Sequence, residues 1–309
     1  MASTLPPSTT GFATVSTQPD VRLFYSVTPP ALPLDPARPV IVLSSSLAAS
    51  TELWDAFTAA FAPTHTIVRY DARFHGRSPL SSTSDYDYKT GHTIDDLADD
   101  VIVVLDTLGI GAQHAPAFVG LSIGGGVGVS LAARYPDRFG SFVIVGTRSH
   151  AAPGDAARMA ERAAFYKTHG ARAQAEQSVV RWFGTTWPSA SPANAAKAKH
   201  VADIVEQTPL EGFVASAAAL NRMDLREQAA AIGKRQRQSP SATEGNRNNK
   251  TNVLFVVGAD DGALVVAESK QLAAAAGSPL EVVAECGHIV NVQQPARFHE
   301  LVRAWIARE

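Results

Sequence analysis

The chain has 309 residues, of which 45% are apolar and 18% charged, and a formal net charge of −2. That length suits one large catalytic domain with an insertion, or two small domains. The near-neutral charge removes any general electrostatic reason to expect nucleic acid or an acidic membrane as a partner. No apolar run approaches the length needed to cross a bilayer. The single cysteine, Cys286, leaves no intrachain disulfide, so a soluble protein of a reducing, cytoplasmic compartment is expected.

Residues 1–12 read as a short polar leader. Continuous apolar runs then predict buried strands at 40–44, 65–71, 117–121 and 141–145, as parallel strands covered on both faces require. Between them, residues 93–108 carry Leu97, Val101, Leu105 and Leu108 at helical spacing, with Thr93 and Asp96 as an N-terminal cap. Strands alternating with helices imply right-handed crossovers and a mostly parallel sheet flanked by helices. The rhythm breaks over 151–233, an alanine-rich block with helices expected at 155–168, 171–182, 193–206 and 212–219. Residues 234–250 are polar and charged and read as a flexible loop. Strands at 253–257 and 280–284 and helices at 264–275 and 296–306 restore the alternation. The reading is therefore one α/β core over residues 12–150 and 251–309, interrupted by a helical insertion at 151–233 placed to act as a lid.

Gly120-Leu-Ser122-Ile-Gly124 sits directly between a predicted strand and a predicted helix. In that context Gly-x-Ser-x-Gly is a nucleophile elbow: a tight turn pushes the serine hydroxyl above the sheet, and the Ile123 N–H points at the reacting carbonyl from a helix N-terminus. Alone, the motif also fits an ordinary glycine-rich turn. A phosphate loop is a further alternative, but the Lys-Ser/Thr pair is missing. The partners decide. Serine needs a base, and the base needs an orienting acid. Among nine histidines, His288 alone follows a strand end near the C-terminus. Asp260 and Asp261 both follow the penultimate strand; the spacing Gly258-x-x-Asp favours Asp261, and either aspartate alternatively caps the next helix. Ser122, acid and His288 in that order, each at a strand's C-terminal end, gather where open α/β sheets bind ligands.

These residues resemble the α/β-hydrolase fold superfamily, and within it the 3-oxoadipate enol-lactonases and related lactonases and esterases. The segment Leu43-Ser-Ser-Ser-Leu-Ala48 with Trp54-Asp55 resembles LSNSLG…MWD, and Tyr70 to Ser78 resembles YDxRGHGxS. Residues 120–125 resemble GLSMGG, and Gly287-His288 through Gln294-Pro295 resemble GHxxxxEQP. The similarity begins near Val21 and covers nearly all the chain except the 234–250 loop. Four positions depart from the pattern: Ser45 replaces asparagine, Ala48 and Phe74 replace glycines, and Gln293 replaces glutamate.

The resemblance implies an α/β-hydrolase fold with a helical lid, and Ser122, His288 and Asp261 as a catalytic triad. It also implies an oxyanion hole from the Leu47 and Ile123 N–H groups. The expected reaction is cleavage of a small-molecule ester or lactone through an acyl-enzyme, with no metal or organic cofactor. Ser46, Arg148 and Trp182 are the expected substrate contacts; Arg181, Phe183 and Trp187 are further lid candidates, with lid packing or surface exposure the plainer reading for the tryptophans and arginines. A C–C bond hydrolase, a non-hydrolytic cyclase or isomerase, and a hydrolase-fold ligand receptor share these features. Fold alone does not separate them, and nothing in the pattern sets an oligomeric state.

Overall fold

The computed structural model describes residues 5–238 and 252–307. Its frame is one eight-stranded sheet in the order β1-β2-β4-β3-β5-β6-β7-β8. The strands are β1 (Thr9–Thr17), β2 (Asp20–Thr28), β3 (Val40–Ser44), β4 (Thr66–Tyr70), β5 (Ala117–Leu121), β6 (Ser141–Val145), β7 (Asn252–Gly258) and β8 (Leu280–Val283). From β4 to β8 every pairing is parallel, while β2 runs antiparallel to both β1 and β4. Every residue of β3, β4, β5 and β6 is buried. Strands wetted on neither face carry no polar alternation, which is why β3, β5 and β6 read as largely apolar runs, while the buried Arg69 of β4 is paired with Asp55.

The helices are α1 (Asp55–Phe61), α2 (Ile94–Thr107), α3 (Ile123–Arg134), α4 (Asp155–Phe183), α5 (Thr186–Ser189), α6 (Pro192–Glu206), α7 (Leu210–Arg222), α8 (Arg226–Gln238), α9 (Ala263–Ala276), α10 (Val290–Gln293) and α11 (Pro295–Ile306). In α2 the expected cap is reciprocal: the Asp96 N–H donates to Thr93 Oγ1 at 3.1 Å and the Thr93 N–H donates to Asp96 Oδ2 at 2.7 Å. Helices α2, α3, α8 and α9 pack in series along the sheet, and α1 pairs with α11. There Phe57 stacks on Phe61 with centroids 4.1 Å apart, against Phe298.

Three features of the insertion between β6 and β7 place it. First, the two helices expected at 155–168 and 171–182 are both present, joined end to end within α4 across Gly170, whose φ of 87° and ψ of 170° are not helical. Glycine tolerates that conformation; a side chain would not. Second, 226–238 is a helix, so 234–238 is its last turn rather than the start of a loop, because Ala229, Ile232 and Gly233 bury a face against α3 and α9. Residues 239–250 of the expected loop lie outside the described residues. Third, the insertion has a neck: the Ala151 N–H donates to the Met223 carbonyl and the Leu225 N–H to the Ser149 carbonyl, each at 2.7 Å. Only α4 to α7 therefore stand off the sheet, as a cap over its C-terminal edge, and α8 belongs to the core. The expected polar leader also ends earlier, since β1 starts at Thr9.

Candidate active site

The cap and the sheet edge enclose a cleft of about 410 Å³. At its floor, β5 gives way to α3 through Ser122, whose φ of 60° and ψ of −115° lie outside the ordinary regions for an L-residue. Such a backbone costs about 1–3 kcal/mol and persists only where its surroundings impose it. Here the Ser122 N–H donates to the Val145 carbonyl at 2.8 Å, and its carbonyl accepts from the Gly126 N–H at 3.0 Å. The flanking glycines are steric necessities. A Cβ on Gly120 would lie 2.1 Å from the Gly124 carbonyl oxygen, and one on Gly124 would lie 2.6 Å from that of Ser44.

His288 follows β8 and Asp261 follows β7. Both carboxylate oxygens of Asp261 lie 2.8 Å from His288 Nδ1, and the carboxylate is buried. Asp260 is exposed, and its N–H is bound to the Cys286 carbonyl at 2.8 Å. So Asp261, not Asp260, meets the histidine. The pair closes over Gly146 at the end of β6: with φ of 55°, a Cβ there would sit 3.0 Å from Asp261 Oδ2 and 3.5 Å from His288 Nδ1. From the cap side, the Trp182 carbonyl accepts the His288 N–H at 2.9 Å, and the indole stacks on the imidazole with centroids 6.2 Å apart. Ser122, Asp261 and His288 all border the cleft; no hydrogen bond joins the Ser122 hydroxyl to His288 among the described residues. Catalytic hydrogen bonds are often long before substrate binds.

Ser46 and Leu47 line the cleft with Ser122, and both also line a small second cavity that Ile123 borders. The Ser46 hydroxyl is buried without a partner. The N–H groups of Leu47 and Ile123 donate to no protein acceptor among the described residues. The four departures from the enol-lactonase pattern resolve individually. Ser45 Oγ accepts from Trp54 Nε1 at 3.1 Å and donates to the Ser50 carbonyl at 3.0 Å. Ala48 and Phe74 hold φ of 63° and 65°, conformations that suit the glycines of the pattern. The Gln293 side-chain carbonyl accepts the Gly287 N–H at 2.8 Å, an acceptor role that a carboxylate fills equally well.

Arg148 lines the cleft, but its guanidinium is taken: Nε and Nη2 donate to Glu268 at 3.2 and 3.1 Å, and Nη1 donates to Asp155 at 2.9 Å. Burial works against ionisation of Glu268, yet hydrogen bonds from Ser149 and Arg148 outweigh it and hold the carboxyl below its usual range. Arg148 is thus half of a structural ion pair. Cys286 is buried, and burial, reinforced by the Asp261 and Asp260 charges, pushes its thiol up to about 12. That makes it a packing side chain. The sequence reading passed over Gly146, Arg162 and Asn221, the last two being cap residues on the cleft wall. A glycine at a strand's C-terminal end was the available signal for the first; a lone arginine or asparagine on a helix carries none.

The model of the alpha/beta hydrolase fold family matches residues 39–295. A 3-oxoadipate enol-lactonase of Acinetobacter baylyi is 31% identical over 272 residues, covering 88% of this chain and 90% of the relative. A putative carbamate hydrolase, RutD, of Caulobacter segnis is 29% identical over 266 residues, covering 85% and 89%. Among solved structures, the enol-lactonase from Burkholderia xenovorans superposes with a TM-score of 0.75 at 26% identity, over 97% of this chain and all of that one. The described helices include none long and apolar enough to cross a membrane. By its sheet, its elbow and these relatives, the chain is a hydrolase of the α/β-hydrolase fold family.

Proposed function

We propose that the protein is a serine hydrolase that opens an ester or lactone of a small molecule through an acyl-enzyme. The observation that carries this is the His288–Asp261 pair on the wall of the cleft whose floor is the strained Ser122. Asp261 fixes the imidazole with Nδ1 protonated, leaving Nε2 as the base. Nε2 removes the Ser122 proton as Oγ attacks the carbonyl carbon. The Leu47 and Ile123 N–H groups receive the oxyanion; losing one such donor would cost about 3–4 kcal/mol. His288 then protonates the leaving oxygen and activates water for deacylation. In a lactone the leaving oxygen stays tethered to the acyl group, so water must reach the carbonyl before the ring recloses.

The cap helices serve as the lid, and Trp182 ties lid to base through its carbonyl and its stacked ring. The enol-lactonase relatives support a lactone, and the carbamate hydrolase relatives extend the leaving group to nitrogen. A reducing, cytoplasmic setting belongs to the same reading and rests on the lone buried cysteine. The test is turnover of an enol-lactone, aliphatic lactones, carbamates and short p-nitrophenyl esters by wild type and Ser122→Ala. Turnover abolished by the substitution is expected. Equal turnover by both proteins would refute the role of Ser122.

A further inference from the structure

The chain leaves β3 through a tight turn, Ser46-Leu47-Ala48-Ala49, all four residues of which are buried. The Ala49 N–H donates to the Ser46 carbonyl at 3.1 Å and closes the turn, and Ala48 sits in the left-handed region with φ of 63°. An alanine is strained there and stays only where neighbours hold it. On the N-terminal side the Ser45 hydroxyl supplies such a hold, through Trp54 Nε1 and the Ser50 carbonyl. On the Ala48 side the hold comes from the cap.

Thr208 joins α6 to α7, and its side chain is buried. Its Oγ1 donates to the Ala48 carbonyl at 3.0 Å, across 160 residues of chain, and no other donor reaches that carbonyl among the described residues. Thr208 is itself fixed at three points. Its N–H donates to the Val205 carbonyl at 3.2 Å, its carbonyl accepts from the Tyr166 hydroxyl of α4 at 2.9 Å, and Pro209 restricts its backbone from the next position. Helix α7 behind it is seated on the core. Arg222 donates to the Thr90 and His92 carbonyls at 2.7 and 2.8 Å, and Ser216 Oγ lies 3.0 Å from His92 Nε2. The hydroxyl therefore meets Ala48 from a rigid support.

We infer that Thr208 is a positioning residue for catalysis: by holding the Ala48 carbonyl it keeps the turn in its left-handed form, with the adjoining Leu47 N–H aimed at the oxyanion. This role rests on the hydrolase reading of the same cleft. Without the hydroxyl, a buried carbonyl loses its partner and a strained residue loses its restraint, so the turn relaxes where Leu47 adjoins it. A donor aimed at developing charge acts mainly in the transition state, so its misalignment lowers kcat rather than raising KM. The Trp182 carbonyl accepts the His288 N–H in the same way. The cap thus braces the machinery at two points, the oxyanion turn and the base.

The test compares wild type with Thr208→Val, which keeps the shape and removes the hydroxyl, and with Thr208→Ser, which keeps the hydroxyl. On the best ester or lactone, kcat should fall about tenfold in the valine variant with KM changed less than about twofold, and serine should restore most of the rate. An unchanged kcat, a change confined to KM, or equal losses in valine and serine overturns the role of Thr208 and leaves the serine hydrolase intact. Ser122→Ala, assayed beside them, reports on the hydrolase reading by itself. A second readout needs no turnover: hydrogen exchange at the Ala49 amide, which closes the turn. Exchange there should quicken at least tenfold in Thr208→Val and stay near wild type in Thr208→Ser, while the amides of β5 and β6 are unaltered. Wild-type exchange at Ala49 in the valine variant overturns the inference whether or not any ester is cleaved. Thermal melts check that each variant is folded, and Thr208→Ala stands in if valine is not tolerated.

Discussion

Gly146 offers the sharpest test of the proposed acid–base pair, because it touches the pair without supplying any of its chemistry. In Gly146→Ala the new Cβ would enter a backbone with φ of 55°, 3.0 Å from Asp261 Oδ2 and 3.5 Å from His288 Nδ1. The conformation alone costs about 1–2 kcal/mol, a modest loss of stability. The steric effect is more telling. Carbon and carboxylate oxygen prefer a separation larger by a few tenths of an ångström, so the carboxylate must retreat from an imidazole it now holds at 2.8 Å through both oxygens. Small misplacements of catalytic groups cost up to about a hundredfold in rate per ångström, so kcat should fall about tenfold, with KM little changed. The assay is steady-state turnover of the best ester or lactone, beside a thermal melt to show that the protein is folded at the assay temperature. Asp261→Asn sets the lower limit of activity. A folded Gly146→Ala protein with wild-type kcat would refute the claim that this geometry is tightly held, and with it the assignment of Asp261 as the orienting acid.

Ala48→Gly should leave stability unchanged or raise it by up to about 1 kcal/mol: relief of the left-handed strain at φ of 63° is partly cancelled by glycine's freedom in the unfolded chain. Urea denaturation reads this directly, and a clear loss would mean that methyl packing at this buried site outweighs strain. His75 is fully buried, and burial, only partly offset by its bond to the Arg73 carbonyl, lowers its pKa to about 4. The unfolded chain therefore binds a proton first as pH falls. Stability is complete above about pH 6.5 and declines toward pH 4, by about 3 kcal/mol from this one group. His75→Gln should flatten that part of the curve of urea midpoint against pH; an unaltered slope would place the proton elsewhere.

How much of this was legible in the sequence depended on how local the cause was. The buried parallel strands announced themselves because both faces demand apolar residues, and Thr93 with Asp96 because a cap is made within four residues. The β1–β2 hairpin left no such mark. Its outer strand, Thr9–Thr17, is mostly exposed or half-buried and is built of threonine, serine and glycine as much as of apolar residues. Helix α8 was hidden by its charged last turn, although three small or aliphatic residues suffice to dock it. In the cleft, Ser122, His288 and Asp261 were readable because each sits in a short pattern beside a strand end. The engagement of Arg148 was not, since Glu268 lies 120 residues away along the chain. Nor was the bond from the His288 N–H to the Trp182 carbonyl, which involves no side chain at all.

The neck at the base of the cap has a consequence for how such a protein changes over time. Where two chain ends leave a scaffold side by side, the entropic cost of what hangs between them grows only with the logarithm of its length. Helices there can lengthen, shorten or be exchanged with little penalty to the sheet, whose register is set by other strands. Arg162 and Asn221, which line the cleft, are carried on that exchangeable part, whereas Ser122, Asp261 and His288 are fixed to the sheet. Under the proposed function, chemistry and selectivity would be carried on separate pieces of one polypeptide, and a swap between Ala151 and Met223 that kept Thr208 would transplant one without rebuilding the other.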